Sequence, residues 1–103
     1  MIEANLPYTV YVLRSLKDRQ LYTGFTSDLP SRLAAHDKGR SPSTAPRRPF
    51  QLIFCEQFLS RLDAERRERY LKSSAGQRAL KIMMRQTLVD ACARKEEGKL
   101  IVS

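Results

Sequence analysis

Tyr8-Thr9-Val10-Tyr11-Val12-Leu13 and, across the break at Lys17-Asp18-Arg19, Gln20-Leu21-Tyr22-Thr23-Gly24-Phe25 are the residues whose reading decides the fold. Both runs are rich in β-branched and aromatic side chains, which pack well on a pleated, half-buried surface. Two such runs joined by a short polar break read as a β-hairpin. Gly24 sits late in the second run, where a residue without Cβ weakens a strand. Its presence there predicts that the chain bends or that another group comes close to the backbone.

Working outward, Thr26-Ser27-Asp28 offers side-chain caps and Pro30 suits a first helical turn, so a helix is predicted from about Leu29 to Asp37, ended by Gly39. At about 100° per residue, Leu29, Leu33 and His36 share a stripe with Arg32 at its edge. Residues 38–49 combine Lys38, Arg40, Arg47 and Arg48 with three prolines, small hydroxyls and no acid. This composition predicts a mobile basic loop in contact with substrate, because long loops in compact domains are usually functional or disordered. Phe50 to Phe58 is a third strand, apolar enough to be central in a small sheet. Ser60 followed by Asp63 starts a helix that runs to about Ser73, with Gly76 beyond its end. A last helix is predicted from Gly76 or Gln77 to about Arg94, with Leu80, Met84, Leu88 and Cys92 as its core stripe. No element is assigned to the tail from Lys95 to Ser103. The resulting order, β-β-α-β-α-α, predicts an α/β protein of the α+β kind: a three-stranded, mainly antiparallel sheet flanked by helices. Its 103 residues suffice for one domain, 1–103, with a core at about 8–90.

Lys and Arg number 19 against 11 Asp and Glu, a formal charge of +8 that points to a polyanionic partner, nucleic acid before membrane. The first residues lack the basic and apolar regions of a secretory signal, and no spanning stretch or lipidation motif occurs, so a cytoplasmic protein is expected. Cys55 and Cys92 have no CxxC partner or neighbouring histidines; both are expected to be reduced core thiols, and a zinc site is not. No organic cofactor is expected, and the chain is expected to be a monomer or weak dimer.

The polar residues that these elements bring near the apolar core are Tyr11, Tyr22, Arg32, His36, Glu68 and Lys72. Each has a structural alternative: strand packing for the tyrosines, a solvated charge for Arg32, helix packing for His36, and an i,i+4 ion pair for Glu68 with Lys72. Together they could also cleave a phosphodiester, which needs an activated water, charge neutralisation on the phosphate and usually a divalent cation.

Thr9-Val10-Tyr11 and Tyr22-Thr23-Gly24 resemble the two halves of the GIY-YIG signature, with both tyrosines and the second glycine kept and strand-compatible residues elsewhere. Asp28-Leu29-Pro30-Ser31-Arg32-Leu33-Ala34-Ala35-His36 resembles the arginine helix of that family. Ala64-Glu65-Arg66-Arg67-Glu68-Arg69-Tyr70-Leu71-Lys72-Ser73 resembles its glutamate helix, where a Glu precedes a Lys by one turn; that spacing selects Glu68 over Glu65. The resemblance spans roughly Tyr8 to Leu88 and is closest to small stand-alone members related to the nuclease half of the bacterial excision-repair incision protein.

What the resemblance implies is a divalent-metal-dependent DNA endonuclease with Tyr11, Tyr22, Arg32, His36 and Glu68 as catalytic residues. Glu68 would be the sole protein carboxylate on Mg2+ or Mn2+, Arg32 would bind the scissile phosphate, and Tyr22 or Tyr11 would take a proton from water, Tyr22 being the first choice. His36 would hold phosphate or protonate the leaving oxygen. Gly24, Arg32, Lys38, Arg40, Arg47, Arg48, Arg69 and Lys72 are the expected nucleic-acid contacts, the DNA being branched or damaged as repair or recombination requires. The alternative is a basic nucleic-acid-binding module without chemistry.

Overall fold

The computed structural model describes the backbone of residues 1–102 and the side chains of residues 1–93; Ser103, the last residue of the expected domain, lies outside the described residues. Strands β1 (Tyr8–Ser15) and β2 (Leu21–Thr26) form the expected hairpin, with Arg19 at φ 62° in its turn. Strand β3 (Phe50–Phe58) pairs antiparallel with the other side of β1, so the sheet order is β2-β1-β3 and every pairing is antiparallel.

The central strand is therefore β1, not β3. From Thr9 to Ser15 every residue of β1 is buried, so both of its faces are covered. β3 alternates half-buried and exposed positions, carries Gln51, Glu56 and Gln57, and leaves Leu52 40% exposed, as suits an edge strand.

Helix α1 (Leu29–Asp37) starts where Asp28 Oδ1 accepts the Ser31 amide at 3.2 Å, and Gly39 follows it at φ 74°. Helix α2 (Arg61–Lys72) is capped by Ser60. The predicted last helix is two helices, α3 (Ser74–Met83) and α4 (Arg85–Val102), so three helices follow β3. Ser73 caps α3 by accepting the Gly76 amide, and at the other end Arg85 Nη1 donates to the Ile82 carbonyl at 2.8 Å. Gly76 lies inside α3 rather than beyond a helix end. A Cβ there would collide with the Tyr70 carbonyl, so the glycine lets α3 pack on the end of α2. Helix α4 continues to Val102, through the tail to which the sequence assigned nothing.

One face of the sheet carries the core: Val10 and Val12 meet Ala64 and Leu71 of α2 and Leu80 of α3, with Phe25, Ile53, Phe54, Phe58 and Met84 around them. The break after α3 shifts the helical phase, so Ala91 is buried in α4 and Cys92 is exposed. Cys55 is exposed too, because it lies on the edge strand. Both cysteines are free, and neither is a core thiol.

The opposite face of β1 meets α1 and residues 38–49. This segment is not an open connector. It contains a 3₁₀ turn, Ala45–Arg47, clipped to the hairpin: Ser15 Oγ donates to the Arg47 carbonyl at 2.6 Å, Lys17 Nζ to the Pro46 carbonyl at 2.9 Å, and the Leu16 amide to the Pro49 carbonyl at 2.8 Å. Arg47 Nε also meets Asp18 Oδ2 at 2.8 Å, which pulls the Asp18 carboxyl down to about 2. Among the described residues, no helix is long and apolar enough to cross a membrane.

Candidate active site

The side-chain period of two in a strand puts Tyr11 on the face opposite Val10 and Val12. Tyr11 is fully buried and faces Gly24 across the β1–β2 ladder, and its ring lies over that glycine. A Cβ on Gly24 would collide with Cζ and the hydroxyl of Tyr11. The close approach foreseen at Gly24 is thus made by the protein's own tyrosine. Tyr22, opposite Leu13, is the next residue of β2 on this face, its ring centroid 6.4 Å from that of Tyr11.

Helix α1 brings the other partners. His36, 2% exposed, sits edge-on to both tyrosines, at 5.8 Å from Tyr11 and 5.2 Å from Tyr22. Its Nε2 lies 2.8 Å from the Tyr11 hydroxyl and its Nδ1 lies 2.8 Å from Oγ1 of Thr44. One turn earlier, Arg32 Nε donates to the Tyr11 hydroxyl at 3.3 Å. Arg32 and His36 therefore meet at one phenol oxygen, that of Tyr11, with the Tyr22 ring packed beside them.

Glu68 comes from α2. Its carboxylate is close enough to Tyr11 for its charge to act on the phenol, and Lys72 Nζ meets its Oε2 at 3.3 Å. Glu65 instead pairs at 2.8 Å with Arg61, whose guanidinium lies over the Phe25 ring. Of its basic neighbours, Arg67 turns away from Glu68 to Glu56, at 2.7 Å. Among the described residues there is no group of three or more His, Cys, Asp or Glu able to hold an ion by themselves. One carboxylate suits a hard cation that keeps most of its water and takes substrate oxygens as further ligands.

The electrostatics follow from burial beside a fixed cation. The Tyr11 hydroxyl is held above its usual range, first because burial disfavours phenolate; the Arg32 hydrogen bond opposes this and the charge of Glu68 adds to it. Arg32 is pushed up by its hydrogen bond to Tyr11, with a smaller contribution from Tyr22. His36 is pushed down by burial and then by the charge of Arg32. At neutral pH the cluster is thus phenol, neutral imidazole and guanidinium.

The remaining expected contacts divide. Lys38, Arg40, Arg69 and Lys72 are exposed. Arg47 pairs with Asp18, whereas Arg48, itself exposed, donates to the carbonyls of Ala45 at 2.9 Å and Asp37 at 3.4 Å. Thr44, fully buried against His36, went unnoticed in the sequence; nothing sets it apart from Ser41 and Ser43 until the 3₁₀ turn folds it inward.

This fold and site define a small catalytic domain of the two-tyrosine, arginine and glutamate type. The chain belongs to the GIY-YIG family: the GIY-YIG catalytic domain matches residues 7–81, from the start of β1 into the end of α3. It is similar to a UPF0213 protein of Staphylococcus haemolyticus, 39% identical over 75 residues that make up 72% of this chain and 90% of the relative. A UPF0213 protein of Natronomonas pharaonis is 43% identical over 65 residues, 62% of this chain and 75% of that one. The solution NMR structure of a UPF0213 protein from Bacillus halodurans is 33% identical, covers 74% of this chain and 83% of its own, and superposes with a TM-score of 0.48.

Proposed function

We propose that this protein is a DNA endonuclease that hydrolyses phosphodiester bonds with a divalent ion, Mg2+ or Mn2+, held at Glu68. The observation that carries the reading is the meeting of Arg32 and His36 at the Tyr11 hydroxyl, with the Tyr22 ring beside them and within the field of Glu68. With Nε engaged by Tyr11, Arg32 presents its remaining N–H groups to the scissile phosphate and stabilises charge as it builds up there. Tyr22 or Tyr11 takes the proton of the attacking water, and the water oxygen displaces the leaving oxygen in line. When bound, the ion polarises the phosphate and makes water more acidic. Lys72 holds the Glu68 carboxylate in place and adds positive charge beside the DNA path, while Lys38, Arg40 and Arg69 follow the backbone.

The activity resides on one domain, residues 1–103 with its core at 8–90, in a cytoplasmic protein acting in repair or recombination. One site in a monomer or weak dimer favours nicking, or cutting at branches and flaps, over concerted double-strand scission.

The test is incubation of the purified chain with supercoiled, branched and single-stranded DNA and with RNA, with and without Mn2+, beside Glu68→Ala. The expected result is ion-dependent DNA scission that Glu68→Ala lowers by roughly two orders of magnitude or more while salt-sensitive binding persists. Binding without ion-dependent scission in the native chain would instead make it a non-catalytic nucleic-acid module, a reading its charge of +8 also supports.

A further inference from the structure

The two tyrosines are not equivalent in their hydrogen bonding, and the difference traces to a threonine outside the cluster. Thr44 Oγ1 lies 2.8 Å from His36 Nδ1 and 3.4 Å from the Ser41 carbonyl. Thr44 and His36 are shielded from solvent, so the protons must be placed among these atoms. If His36 carries its proton on Nδ1, four hydrogen bonds form in sequence: Arg32 Nε–H to the Tyr11 oxygen, Tyr11 O–H to His36 Nε2, His36 Nδ1–H to Thr44 Oγ1, and Thr44 O–H to the Ser41 carbonyl. If the proton is on Nε2, Thr44 must donate to Nδ1, the Ser41 contact is lost, and the Tyr11 oxygen faces two donors with no described acceptor for its own proton. The first arrangement satisfies every group, and buried polar groups are nearly always satisfied.

We propose that Thr44 is a positioning residue for His36: it fixes the Nδ1–H tautomer, so that the Nε2 lone pair receives the Tyr11 proton and Tyr11, rather than Tyr22, is the phenol that activates water. This assignment rests on the nuclease reading above. In the step it implies, the Tyr11 O–H bond breaks and its proton joins Nε2, and the Tyr11 oxygen then takes a proton from water. The hydroxide oxygen bonds to phosphorus, the bond from phosphorus to the leaving oxygen breaks, the leaving oxygen takes a proton from solvent water, and after product release the imidazolium proton returns through Tyr11 to solvent. Such a handover suits a buried phenol whose resting state is neutral. The clip between the hairpin and the 3₁₀ turn is what sets Thr44 in place, because Ser15, Lys17 and Asp18 hold the residues that follow it.

His36 is the one histidine of the chain, so 15N-histidine labelling of the full protein gives a single imidazole. The native spectrum is expected to show a protonated, pyrrole-like Nδ1 and an unprotonated, pyridine-like Nε2. Thr44→Val, which keeps the shape and removes the hydroxyl, should move the two shifts toward each other as the tautomers mix and lower scission roughly ten- to hundredfold. Thr44→Ser should restore both. A native spectrum with the proton on Nε2 overturns the proposal even if Thr44→Val does not fold, and so does a folded Thr44→Val with native shifts and native scission. Failure of the nuclease reading appears separately, as native protein that cuts nothing whatever its tautomer.

Discussion

At the scale of single residues, the site is a compromise between packing and chemistry in which Gly24 matters as much as any charged group. Gly24→Ala places a methyl group where the Tyr11 ring lies, and the ring is boxed in by His36 and Arg32. Overpacking of this kind costs about 1–3 kcal/mol, read as a lower urea midpoint, and scission should fall further than stability because the phenol is displaced. Sequence alone made Gly24 suspicious but could not name the intruder, since the Tyr11–Gly24 register exists only once the hairpin has formed. Thr44 was less legible still: its role depends on a backbone path eight residues beyond His36 that no periodicity encodes. The histidine also gives a pH signature. Burial and Arg32 hold His36 below its ordinary value of about 6.5, so as pH falls through that value the unfolded chain takes up a proton first. Stability from this group is therefore complete above about pH 6.5 and declines below it. Thermal unfolding between about pH 7 and pH 5.5 should slope downward in the native chain and less in His36→Gln.

At the scale of elements, hydrophobic period and capping residues were enough to place β1, β2, β3, α1 and α2 within a residue or two. Asp28 and Ser60 cap α1 and α2 where those signals predicted. What failed was the division of the last helix. Neither Gly nor Pro marks the break at Met84, and the carbonyl freed there is met by a side chain, Arg85, that reads as ordinary surface charge. Gly76 misled for a related reason: it resembles a terminator, yet its lack of Cβ serves the contact between α2 and α3. The core stripe gives a direct contrast within α2. Leu71 is fully buried, and Leu71→Ala should cost about 2–5 kcal/mol. Leu62 is 52% exposed, and Leu62→Ala should stay within about 0.5 kcal/mol, both read by equilibrium denaturation.

At the scale of the molecule, composition pointed to a polyanion but could not tell which cations face it. Arg47 pairs with Asp18 in the clip that holds residues 38–49, whereas Lys38, Arg40, Arg48 and Arg69 are exposed. Replacing Lys38, Arg40 or Arg69 by Ala should each lower the salt slope of DNA binding by about 1, while Arg47→Ala should leave it nearly unchanged; fluorescence anisotropy across a salt series checks both. The arrangement of β1 carries a longer consequence. Val10 and Val12 anchor one side of it while Tyr11 holds His36 and Arg32 on the other, so adjacent letters of a single eight-residue ribbon serve two unlike surroundings. A substitution that merely loosens the packing on one side would tilt the ribbon and shift the phenol on the other, so durability and the geometry of the site are not separable at these positions.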